Sequence, residues 1–74
     1  MSAAVDVLDR DVHLVRQVLT RAGEPLSAAL IRARAQLSHE RAYAALVRMN
    51  SFGSARVVLD GNNRDQNRLW ELTW

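Results

Sequence analysis

Arginine supplies all ten of the basic side chains in this 74-residue sequence, with no lysine among them. A guanidinium is a planar fork of fixed donors that matches the oxygens of a phosphate or the paired acceptors of a base edge, so the chemistry on offer is anion recognition. Their distribution is uneven: residues 1–26 carry three Arg against four acids, residues 27–51 four Arg against one, and residues 52–74 three of each. The excess falls on the middle of the chain, at Arg32, Arg34, Arg41 and Arg48. A formal net charge of +2 is modest for a nucleic-acid binder and leaves a protein partner open as the alternative.

Other chemistry finds little support. His13 and His39 are the two histidines, they fall in different predicted helices, and neither is accompanied by cysteine or a carboxylate pair, so no metal site is expected. There is no phosphate-cradling glycine loop and no Ser-His-Asp arrangement, and 74 residues are too few to enclose a substrate pocket; the expectation is a non-enzyme without a cofactor. The absence of cysteine also excludes disulfide staples and suits a reducing cytoplasm. No apolar run approaches the ~20 residues that span a bilayer, and the N-terminus has no secretory signal pattern, so neither membrane insertion nor secretion is expected.

These groups must be positioned by helices first and strands second. Residues 1–8 read as a leading segment and residues 9–74 as one domain. From Asp9, a candidate N-cap, Val12, Val15, Leu19 and Ala22 recur at helical spacing until Gly23; Leu8 continues the stripe, so the helix can begin as early as Ser2. Ser27 caps a short second helix with Leu30, Ile31 and Ala35 facing inward and Arg32 and Arg34 off that line. Leu37 plugs the turn that follows, and Ser38 caps a third helix with Ala42, Ala45, Leu46 and Met49 inside. After Gly53, residues 55–59 and 68–73 alternate as two strands of a hairpin, with Asp60-Gly61 and Asn62-Asn63 at the bends. Alternation turns Val57, Leu59, Trp70 and Leu72 toward the helices and Val58 and Leu69 outward.

Three helices leading into a hairpin resemble a winged helix-turn-helix, an α+β fold in which a three-helix bundle carries a C-terminal β-hairpin wing. The resemblance covers residues 9–73 and rests on pattern rather than on an invariant motif. It implies double-stranded DNA as the partner, with the third helix in the major groove, the second crossing the backbone and the wing beside them. By position, Ser38, His39, Arg41, Tyr43 and Ala44 would face the groove, and Arg32, Arg34 and Arg48 would flank phosphates. Asn62, Asn63, Arg64 and Gln66 would form the wing tip. The chain departs from the family's turn at two places, with Arg32 where a small residue is usual and Gln36 where glycine is usual.

Each of these residues has a plainer reading. Arg41 either donates to a guanine edge or phosphate or is a solvated surface arginine, and Tyr43 either meets the DNA backbone or braces neighbouring helices. Arg64 beside Asp65 can be an ordinary hairpin tip. Two function classes follow: a sequence-specific DNA-binding regulator of transcription acting as a homodimer, or a winged-helix module that docks on another protein. Val5, Val7, Val47, Val58, Leu69 and Trp74 are the apolar exterior that either a homodimer seam or a protein partner would use.

Overall fold

A computed structural model describes residues 3–59 and 68–73 of the chain. The apolar stripe of the first helix does continue through Leu8, and α1 accordingly spans Ala3–Ala22, 20 residues, with Asp9 inside it rather than capping it. Gly23 ends the helix with φ 66°, and its N–H donates to Leu19 O at 3.2 Å.

The next helix, α2, spans Ala28–Ala35 and starts at Ser27, whose hydroxyl accepts from Leu30 N–H at 3.3 Å. Ile31 is its fully buried anchor, with Ala28 and Ala35 packed partly beside it. Leu30, expected inward, is 46% exposed: at 100° per residue it is rotated off the line that Ile31 seats on the core. At the other end Gln36 adopts φ 58°, its N–H donates to Ala33 O at 3.3 Å, and Leu37 N–H donates to Arg32 O at 3.0 Å. This paired closure puts the left-handed residue where glycine is usual, and Leu37 drops into the core.

A side chain in the left-handed region costs about 1–2 kcal/mol, whereas glycine adds freedom to the unfolded chain, so the two effects partly cancel. Gln36→Gly is therefore expected to stabilise the protein by about 0.5 kcal/mol and to raise Tm by a few degrees. A thermal melt followed by circular dichroism checks this; a lower Tm would mean that Gln36 makes contacts worth more than its strain.

The third helix, α3, spans His39–Ser51 behind Ser38, whose hydroxyl accepts from Arg41 N–H at 3.2 Å. Ala42, Ala45, Leu46 and Met49 form its buried face, as their spacing predicts. Gly53, at φ 76°, and Ser54 close the helix by donating to Asn50 O and Met49 O, which turns the chain into the sheet.

Among the described residues that sheet has three strands rather than the two expected: β1 (Leu26–Ser27), β2 (Ala55–Leu59) and β3 (Arg68–Leu72), antiparallel in the order β1-β3-β2. Ser27, read as the cap of α2, and Leu26 before it thus pair with β3, Leu26 opposite Trp70 and Ser27 opposite Leu69. Across the hairpin Ala55 lies opposite Leu72, Val57 opposite Trp70 and Val58 opposite Leu69. Trp70 faces inward as expected. Val57 shares its face yet is 39% exposed. Val58 and Leu69, expected outside, are half-buried, since as direct cross-strand neighbours each shields the other.

Helices and sheet meet in one core of Val15, Leu19, Leu26, Ile31, Leu37, Ala42, Ala45, Leu46, Met49, Ala55 and Trp70. Burying each large member contributes roughly 1.5–3 kcal/mol. Among the described residues the result is an α+β arrangement in which three helices precede a β-hairpin and a short strand between α1 and α2 completes the antiparallel sheet, a winged-helix-like fold.

Candidate nucleic-acid interface

With Ala42, Ala45, Leu46 and Met49 turned inward, α3 leaves His39, Glu40, Arg41, Tyr43, Ala44 and Val47 exposed. His39 and Tyr43, one turn apart, stack with ring centroids 6.3 Å apart and planes 14° apart. Tyr43 also meets Trp70 edge-on at 6.5 Å. It therefore braces helix against sheet while remaining half exposed. Ser38 spends its hydroxyl on the helix cap.

Arg41 is held from α1. Its Nε donates to Asp11 Oδ2 at 2.9 Å and its Nη2 to Asp11 Oδ1 at 2.7 Å. Asp11 is 1% exposed, and the Arg41 side chain is 49% exposed. Hydrogen bonding to Asp11, followed by attraction to its charge, raises the Arg41 pKa against a smaller opposing effect of desolvation. A raised folded-state pKa favours folding wherever the guanidinium is protonated, which covers every pH at which a protein folds. Asp11 is not among the residues expected from the sequence to form the site. Its signal was an acid standing between Leu8 and Val15 on the apolar stripe, where a carboxylate must find a partner.

The expected phosphate arginines do not form one cluster. Arg32 and Arg34 are both exposed on α2, but two residues apart they lie about 200° apart around the helix. Arg34 borders a shallow depression with Arg21, Gln17 and Gln36, on the α1 side. Arg48 is half-buried, with its guanidinium 5.2 Å above the Phe52 ring. Arg56, on β2, is committed to Glu71 across the sheet at 2.6 Å. The expected wing residues Asn62, Asn63, Arg64 and Gln66 lie outside the described residues, as does Trp74.

An apolar surface adjoins the same helix. Phe52 is 72% exposed, and together with Leu8, Ala44 and Val47 it lines an open depression between α1 and α3. His13 is exposed on α1 and accepts from Gln17 Nε2 at 3.2 Å. Among the described residues no three His, Cys, Asp or Glu side chains come together, and no helix is long and apolar enough to cross a membrane.

The class that these features define is winged-helix-like, a statement about fold alone. Comparison with protein-family models, curated proteins and solved structures finds no match for the chain.

Proposed function

We propose that this protein binds double-stranded DNA sequence-specifically through α3, as a small cytoplasmic regulator of transcription. The observation that carries the reading is the hand-off from α2 to α3. A tight turn at Gln36 and Leu37 delivers a capped helix whose inner face is fully anchored and whose outer face is uncovered. Exposed arginines stand on the helix before it. A helix held this rigidly and left open on one side suits insertion into a major groove, with the preceding helix against the backbone. Residues 27–51, which build this unit, also carry the chain's excess of positive charge.

Selection of bound sequences from a random duplex pool tests the proposal. A consensus is the expected result, and a pool that never enriches sinks it. We further expect a two-fold homodimer, since a single module of this size buries only ~600–1,000 Å² on DNA. Light scattering at micromolar concentration should give twice the 8.3 kDa of the chain, and the consensus should then be an inverted repeat with half-sites about one helical turn apart. A monomer mass across the accessible range overturns the dimer.

A second reading rests on Phe52 and Val47, exposed apolar side chains on and just after α3, with Arg48 resting on the Phe52 ring. That surface suits docking on a protein partner. Size-exclusion mass measurement with random duplex at low salt separates the two: a shift with DNA supports the first reading, and none favours the second.

A further inference from the structure

Arg41 is fixed at both ends. Its backbone N–H is bound by the Ser38 hydroxyl in the first turn of α3, and its guanidinium is bound by a carboxylate thirty residues earlier on α1. The carboxylate is enclosed, at 1% exposure, so it cannot swing out to follow a mobile arginine. The geometry is side-on. Asp11 takes the edge formed by Nε and Nη2, which leaves the opposite edge, Nη1 with the outer N–H of Nη2, as two parallel donors on a half-exposed group. A free arginine loses side-chain freedom when it docks, and one held in advance loses less and tolerates less misalignment.

We propose that Asp11 is a positioning residue for recognition: it holds Arg41 so that the outer edge of the guanidinium meets two acceptors at once. Those acceptors are O6 and N7 of a guanine, or two oxygens of one phosphate. The inference rests on the reading of α3 as the DNA-contacting helix.

The probes are the duplex enriched by the wild type from a random pool, a scrambled duplex, and the enriched duplex with 7-deazaguanine placed at each guanine in turn. If the acceptor is guanine, Asp11→Asn lowers the preference for the enriched over the scrambled duplex by about 10-fold, and Arg41→Ala by about 10- to 100-fold. The double variant is no worse than Arg41→Ala alone, and 7-deazaguanine at one position penalises the wild type more than Asp11→Asn and leaves Arg41→Ala unaffected. If the acceptor is a phosphate, Asp11→Asn weakens both duplexes alike and lowers the salt slope by about one, with no position sensitive to 7-deazaguanine in an Asp11-dependent way.

Asp11→Asn with the affinity, preference and slope of the wild type, while Arg41→Ala loses them, overturns the proposal and leaves the DNA reading standing. A wild type that enriches nothing removes both. Should Asp11→Asn not fold, the Arg41 Nε–H resonance of the wild type decides. It is expected to be protected from exchange in the free protein and to stay so in the complex. Loss of protection on adding the enriched duplex means that Arg41 leaves Asp11 to reach DNA, which overturns the proposal.

Discussion

Trp70→Ala is expected to remove about 3–5 kcal/mol of stability, because the large cavity it opens cannot close. For a domain of this size the total is of the order of 5 kcal/mol, so the variant should be largely unfolded at room temperature. The expectation follows from where Trp70 sits. It lies on the central strand β3 with Leu26 of β1 on one side and Val57 of β2 on the other, and it is 6% exposed. Tyr43 of α3 abuts its ring. One side chain thus ties the three strands to α3. Urea titration followed by far-ultraviolet circular dichroism measures the effect; a midpoint equal to that of the wild type would place Trp70 outside the core.

The second large effect concerns DNA affinity. Arg32, Arg34 and Arg48 are expected to act on phosphates, so replacing any one by alanine should weaken binding to selected and random duplexes alike. Removing one arginine–phosphate pair lowers the slope of log K against log salt by about 0.9. The geometry refines this expectation. Arg32 and Arg34 project to different sides of α2, so a single docked orientation favours one over the other, and the two slopes should differ. Arg48 already rests on Phe52, and its replacement removes that packing as well. Salt titrations of the three single variants read out the phosphate pairs directly. Slopes unchanged in all three would take the α2–α3 surface away from the DNA backbone and favour the docking of a protein there.

Much of the fold is legible in the chain because it is decided locally. Ser27 and Ser38 cap helices through hydroxyls that reach only three residues on, and Gly23 and Gly53 end helices through their own backbone freedom. The buried face of α3 follows from spacing alone, since Ala42, Ala45, Leu46 and Met49 are brought to one side by helical geometry whatever they pack against. Alternation likewise gave Trp70 its inward direction. Even Gln36 was visible as a departure from the usual glycine, and the backbone there is left-handed as that position requires.

What the chain did not reveal depends on partners distant in sequence. The pairing of Leu26 and Ser27 with β3 joins residues more than forty apart, and two residues carry too little pattern to announce a strand. The exposure of Leu30 and Val57 reflects which line of α2 and which end of β2 come to rest on the core, and spacing alone does not choose between neighbouring lines. For the site the division is the same. The sequence placed Arg41 in the first turn of the third helix, on physical grounds that needed nothing beyond that helix. Only the tertiary structure supplied Asp11, because a buried carboxylate and the arginine that balances it meet only once α1 and α3 are packed together.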